Sequence, residues 1–203
     1  MGHWIKATLR YRTTPRGHEL SIVLSPDESL FASCSKDWAV RVWDLPSGKL
    51  TCNLEGHQDS AQHAAFSPNG RLVVSASDDS AVRVWKVDSQ RAAEDRKVAV
   101  LRHRRDYCLT VAFSPDGKFL ASASDDEEII VWSIETWSKF GKPMDAGNAV
   151  VRVTISADSD WILSATRDGH WKMWELATRE CLCTIESRHK GGLGSLILIR
   201  AAW

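Results

Sequence analysis

Four tryptophans recur along the chain at nearly constant separation, and this constrains the fold more than any other feature of the sequence. Trp43, Trp85, Trp132 and Trp174 stand 42, 47 and 42 residues apart. Each closes a segment of one design: a turn such as Ser67-Pro68-Asn69-Gly70 or Ser114-Pro115-Asp116-Gly117, an apolar stretch ending in Ser-Ala-Ser or a close variant, an Asp, then alternating residues up to the Trp. Self-similarity at about 40 to 50 residues marks an array of small units, none able to bury a core alone. Pro and Gly supply the turns. Between them the pattern has period two: in the second copy Ala64 and Phe66 share a face before the turn, Leu72-Val73-Val74 follows it, and Val82-Arg83-Val84-Trp85 follows the Asp78-Asp79-Ser80 turn. No 3.6-residue spacing competes, so the expected class is all-β. Apolar residues on both faces of the central strands predict sheets stacked face against face.

The pair Gly56-His57, the turns FSPNG and FSPDG, and the runs SCSKDWAVRVWD and SASDDSAVRVW carry a resemblance to a known family. Over residues 17 to about 189 the chain resembles the WD-repeat β-propellers, although only the first copy ends in the literal Trp43-Asp44. The others read Trp85-Lys86, Trp132-Ser133 and Trp174-Glu175. The resemblance implies four-stranded antiparallel blades, one per repeat. On this basis residues 1–16 form an N-terminal outer-type strand, 17–55, 56–101, 102–144 and 145–188 form four repeats, and 189–203 form the truncated start of a further repeat. Propellers run from about four to eight blades, and four blades tilted for a wider ring would form an open or incomplete ring. Its end blades would leave Leu24, Leu30, Ile155, Ile162 and Met173 partly uncovered, which predicts a fragment of a longer propeller or self-association through the terminal blades.

In every copy a Ser precedes the turn Asp by four residues and a Trp follows it by six: Ser33, Asp37, Trp43; Ser75, Asp79, Trp85; Ser122, Asp126, Trp132; Ser164, Asp168, Trp174. The resemblance implies a buried relay in which the Trp indole meets the Ser, the Ser meets a His from the preceding loop, and the His meets the Asp. A donor-only indole, a hydroxyl, a two-nitrogen ring and an acceptor carboxylate can satisfy one another. His57 supplies the second copy and His103 the third, where Arg102 replaces the usual Gly. In the first copy His18 stands seven residues before Ser25, against ten from His57 to Ser67, so about one turn of backbone is missing there. In the fourth copy Asp145 stands where the His should be and SADSD replaces SPDG. A second carboxylate there is expected to repel Asp168 and leave this blade the least rigid. Ser, His and Asp also make the nucleophilic triad, but a triad occurs once per site and needs an exposed hydroxyl with an oxyanion hole. Here the set recurs, and no Gly-x-Ser-x-Gly elbow is present. No catalytic residue is assigned.

Lysine plus arginine total 26 and aspartate plus glutamate total 26, so no net field draws a nucleic acid or an anionic membrane. No apolar run approaches the roughly 20 residues that span a bilayer. Five cysteines suggest reduced thiols in an intracellular setting, the cytoplasm or nucleus. Cys181 and Cys183 read as half-buried strand thiols, and the dispersed histidines predict no metal and no cofactor. Residues 88–97 read as a solvated charged insertion between outer strands, and Arg102, Arg104 and Arg105 as a solvated basic cluster. WD-repeat propellers are interaction platforms, so the resemblance implies binding of a peptide or protein. Residues flanking the turn Asp would face the platform: Lys36 and Trp38, Asp78 and Ser80, Asp125 and Glu127, Arg167 and Gly169. Trp38 is the candidate anchor, with Lys36 and Arg167 as a basic sector and Asp78, Asp125 and Glu127 as an acidic one. The alternatives are a subunit that supplies blades to complete a ring with another chain, and a propeller-based hydrolase.

Overall fold

The computed structural model describes residues 19–87, 96–103 and 106–186. These form sixteen strands in four antiparallel sheets, each with its strands in chain order. Blade 1 holds β1 (Glu19–Leu24), β2 (Leu30–Ser35), β3 (Val40–Asp44) and β4 (Leu50–Leu54). Blade 2 holds β5 (Ala61–Phe66), β6 (Leu72–Ser77), β7 (Ala81–Lys86) and β8 (Lys97–Arg102). Blade 3 holds β9 (Cys108–Phe113), β10 (Phe119–Ser124), β11 (Glu128–Ser133) and the short β12 (Met144–Asp145). Blade 4 holds β13 (Val150–Ile155), β14 (Trp161–Thr166), β15 (His170–Glu175) and β16 (Cys181–Glu186). The first strand of each blade packs beside the first strand of the next, so β1, β5, β9 and β13 are the innermost strands around a common axis.

Two kinds of turn recur from blade to blade, one closed by a serine and one by an aspartate, and they explain why the strands reverse where they do. In the first, a Ser hydroxyl accepts the backbone N–H five residues on: Leu30 to Ser25 at 2.9 Å, Leu72 to Ser67 at 2.9 Å, Phe119 to Ser114 at 2.8 Å and Trp161 to Ser156 at 2.9 Å. The turn needs one residue in the left-handed region. Gly70 and Gly117 supply it without strain, whereas Glu28 (φ 58°) and Ser159 (φ 67°) adopt it in blades 1 and 4. The SADSD of the fourth copy therefore makes the same turn as SPDG. In the second turn Asp37, Asp79 and Asp126 accept the N–H of Ala39, Ala81 and Glu128 at 3.2, 3.0 and 3.1 Å. The next residue is again left-handed in every blade: Trp38, Ser80, Glu127 and Gly169.

The core sits between blades rather than within them. One buried cluster joins Ala32, Cys34, Val40 and Val42 of blade 1 to Ala64, Phe66 and Trp85 of blade 2. A second joins Val74, Ala76, Val82 and Val84 to Val111, Leu120 and Trp132 of blade 3. The third joins Ala121, Ala123, Ile129 and Val131 to Val153, Ile155, Ile162 and Trp174 of blade 4. Each seam sets small side chains against the next blade's Trp, which keeps two twisted sheets at packing distance. A closed ring of four blades has four seams; the described residues show three, and the arc they form is open.

The exposed apolar residues mark its ends, with one correction to the expectation. On blade 1 Ile22 is 61% and Leu24 50% exposed. On blade 4, however, Ile155 and Ile162 are buried, because strand parity turns them toward blade 3. The residues left partly open on the far face of blade 4 are Leu163, Trp171, Met173 and Ile185, which share that face by register. Leu30 packs at the edge of the first seam. Strand β16 is exposed along its whole length, so Cys181 and Cys183 are open thiols rather than half-buried ones. The N-terminal outer-type strand, His18, Arg104, Arg105, the insertion apart from Arg96 and Lys97, and the further repeat all lie outside the described residues.

Candidate functional site

In blade 2 the loop entering from blade 1 carries His57 over the sheet edge into a closed network. Trp85 Nε1 donates to Ser75 Oγ at 3.0 Å, Ser75 lies 2.7 Å from His57 Nε2, and His57 Nδ1 lies 3.0 Å from Asp79 Oδ2. One set of protons satisfies the row: indole to hydroxyl, hydroxyl to Nε2, Nδ1–H to carboxylate. Asp79 Oδ2 also accepts Gln58 N–H at 3.0 Å, and Arg83 Nη2 stands 3.6 Å away. Burial lowers the His57 pKa against the pull of Asp79. Burial raises the Asp79 carboxyl, but the bonds from His57, Gln58 and Ala81 outweigh it and hold the group well below the usual carboxylate range.

Among the described residues the other blades show only parts of this network. The Trp–Ser bond is present throughout, at 3.1 Å for Trp43–Ser33, 2.7 Å for Trp132–Ser122 and 2.9 Å for Trp174–Ser164. In blade 3 His103 Nε2 reaches Ser122 at 2.8 Å, but Nδ1 is 3.9 Å from Asp126, too far for a hydrogen bond. In blade 1 Asp37 is gripped by Arg41 at 3.2 and 2.7 Å. Blade 4 departs from expectation: Asp145 does not approach Asp168 but sits exposed on β12, accepting Gly147 N–H at 2.8 Å. Asp168 is bonded by Thr166 Oγ1 at 2.5 Å and meets His170 Nδ1 at 3.0 Å, which together lower its pKa; Asp168 in turn raises that of His170. No carboxylate repulsion arises. The entering loop is instead held by Lys172 Nζ, donating to the Ala146 carbonyl at 2.6 Å.

A fifth position therefore belongs to the network: the residue two before the Trp, which is Arg41, Arg83, Ile130 or Lys172. Its signal was visible in the repeated VRVW. Blade 3, with Ile130, lacks the cation, and there the His–Asp contact is loose. All four relay serines are buried, so none can meet a substrate as a nucleophile. Among the described residues no three His, Cys, Asp or Glu side chains group as metal ligands, and no helix is long and apolar enough to cross a membrane.

The loop-face residues are spread over all four blades, each in the turn between the second and third strand. Backbone N–H groups of Asp78, Asp125 and Arg167 donate to the carbonyls of Ser60, Tyr107 and Ala149 at 3.0, 3.0 and 2.8 Å, which places these side chains at equivalent positions. The two charge sectors do not stay apart, because Arg167 Nη2 pairs with Asp125 at 2.5 Å. Gln62 Nε2 donates to Asp78 at 2.7 Å, while burial and the charges of Asp59, Asp125 and Asp79 raise the Asp78 pKa. Lys36 and Glu127 are exposed. Trp38 is 51% exposed with φ 71°.

Four-stranded antiparallel blades about shared inner strands, joined by Trp-sealed seams, define a β-propeller architecture. The family model described as "WD domain, G-beta repeat" matches residues 10–44, 48–86, 95–133 and 142–175. The chain belongs to the WD-repeat family, and WD repeats are in general protein-interaction scaffolds, typically without catalysis of their own. No curated protein matches the chain.

Proposed function

We propose that this chain is a non-catalytic scaffold that binds a peptide or protein on its loop face, with Trp38 as the anchor and Lys36, Asp78, Asp125, Glu127 and Arg167 around it. The observation that carries this reading is the exposure of Trp38 at a left-handed turn position. A left-handed backbone costs a residue with a side chain about 1 kcal/mol or more, and half of the indole faces water. Blade 4 fills the same position with Gly169, so the turn has no need of a Trp. Ser80 and Glu127 hold the same backbone in blades 2 and 3, so what sets Trp38 apart is its exposed apolar area, which is retained where a side chain has a use outside the fold. Action inside the cell, in cytoplasm or nucleus, goes with this reading, since Cys108 is a buried free thiol.

Affinity capture with mass spectrometry, comparing wild type with Trp38→Gly and with the distant surface variant Lys49→Ala, tests it. Trp38→Gly should lose partners that Lys49→Ala keeps, with thermal stability no lower than wild type. Identical partner sets for all three proteins would refute the anchor. A panel of ester, glycoside and lactone substrates should show no turnover.

The three seams among four blades support a second reading, in which another copy or another chain supplies blades that complete the ring. Ile22 and Leu24 at one end, and Trp171, Met173 and Ile185 at the other, would be covered on assembly. Light scattering over a dilution series should show association. A strictly monomeric species that binds no hydrophobic dye would remove this reading.

A further inference from the structure

Directly after a bulge in each innermost strand, one residue occupies the same register position: Ser21, His63, Thr110 and Arg152. Two of these side chains stitch a blade to the next, for Val111 N–H points at His63 Nδ1 and Val153 N–H at Thr110 Oγ1, each at 3.4 Å. Arg152 breaks the series. A guanidinium has five donors and no acceptor, so it cannot receive a neighbour's N–H. Its side chain turns back past blade 3 instead, and Nη1 comes within 2.5 Å of His63 Nε2. Strand β9 separates β5 from β13, so the two side chains meet on the axial side of the arc.

The contact is poorly matched. A neutral imidazole offers one acceptor nitrogen, yet donors face both nitrogens of His63. When Nε2 accepts from Arg152, Nδ1–H confronts the Val111 N–H. Protonation offers no relief, because burial and the Arg152 charge pull His63 down to about 4. Arg152 itself is half-buried and loses hydration, which lowers its pKa. No carboxylate pairs with it among the described residues, so its charge is uncompensated.

We propose that Arg152 is a receptor at the axis for a single carboxylate, the side chain of an aspartate or glutamate carried by a peptide partner. A carboxylate presents two coplanar oxygens that match the guanidinium fork, and its one negative charge equals the one positive charge available. A phosphate dianion fits less well, because among the described residues no second cation touches Arg152. When the carboxylate takes the guanidinium, His63 is released. Nε2 then carries the proton, Nδ1 accepts from Val111, and the donor conflict disappears. The site rests on the reading that the chain binds a peptide, but not on Trp38.

The test is a titration of the isotope-labelled whole chain, followed by NMR at the Arg152 side chain and the His63 ring. The probes are acetyl-Gly-Glu-Gly amide, its glutamine counterpart and inorganic phosphate. The glutamate peptide should shift both signals saturably and bind at least tenfold more tightly than the glutamine peptide. That advantage should fall to within twofold in Arg152→Met and be intermediate in Arg152→Lys. It should persist in Trp38→Ala, which separates failure of this site from failure of the anchor. Equal binding of the two peptides, a glutamate advantage that survives Arg152→Met, or phosphate binding as tightly as the glutamate peptide would each overturn the assignment. Should Arg152→Met not fold, glutamate-peptide binding to wild type that leaves Arg152 and His63 unshifted overturns it as well.

Discussion

Blades 2 and 4 share one scaffold and differ in what holds the loop that enters each. In both, a Trp donates to a Ser ten residues earlier on the paired strand, at 3.0 and 2.9 Å. In blade 2 the entering loop also delivers His57, which ties Ser75 to Asp79. In blade 4 it delivers no histidine but the Ala146 carbonyl to Lys172, and Asp168 stays near the surface with His170. The Trp–Ser bond is thus a consequence of strand register, while the His–Asp bond is a tether between a loop and the blade it enters. Blade 3 is intermediate: His103 holds Ser122 but stands 3.9 Å from Asp126.

The sharpest way to break this contrast is Asp79→Ala, which strips the acceptor from His57, Gln58 and Ala81 and leaves Arg83 without its carboxylate. Loss of a hydrogen-bonded buried charge should cost about 3 kcal/mol, read as a lower urea midpoint at unchanged slope. An unchanged midpoint would mean that the tether carries no stability. Next in size, Ser75→Ala orphans both the His57 ring and the Trp85 indole and should cost about 2 kcal/mol, whereas Ser164→Ala orphans only Trp174 and should cost about 1 kcal/mol. Equal losses would show that the histidine adds nothing to the common bond.

A pH series sharpens the comparison further, because the histidines of the two blades respond with opposite sign. His57 and Asp79 both have depressed folded-state pKa values, so their stabilisation is complete above the unfolded values, about 6.5 and 3.9. It is lost as the pH falls through the folded values. His170 has a raised folded-state pKa, so its contribution is complete below about 6.5 and is lost as the pH rises through the folded value. By NMR the His57 ring should titrate below free histidine and the His170 ring above it; the reverse order would contradict both environments. The smallest effect is expected from Asp168→Ala, whose carboxylate is solvated: its urea midpoint should lie closest to wild type of all these variants.

The repeat, the all-β class, the turns and the Ser, Asp, Trp spacing were all legible in the residues. So was the candidacy of Trp38, since an indole in a polar loop stands out in any listing of residue types. The bond of Ser156 in the fourth blade was less legible, because SADSD lacks the Pro and Gly that mark such turns, yet a hydroxyl at the right position closes it anyway. Arg83 and its equivalents were missed, since alternation on a strand reads an isolated Arg as solvent-facing rather than as the partner of an Asp four residues away.

Period and alternation are local properties, set by backbone sterics and by the pairing of neighbouring strands, and they determined the blades and the Trp–Ser clamps within them. Parity then decided which apolar residues lie in a seam and which at an open end, as Ile155 and Ile162 on one face of blade 4 and Met173 on the other show. The looseness of His103 against Asp126, the pairing of Arg167 with Asp125 and the meeting of Arg152 with His63, 89 residues apart, were decided only by the tertiary structure. They depend on how far one blade is rotated against another, and no pattern of residues along a single strand records that rotation.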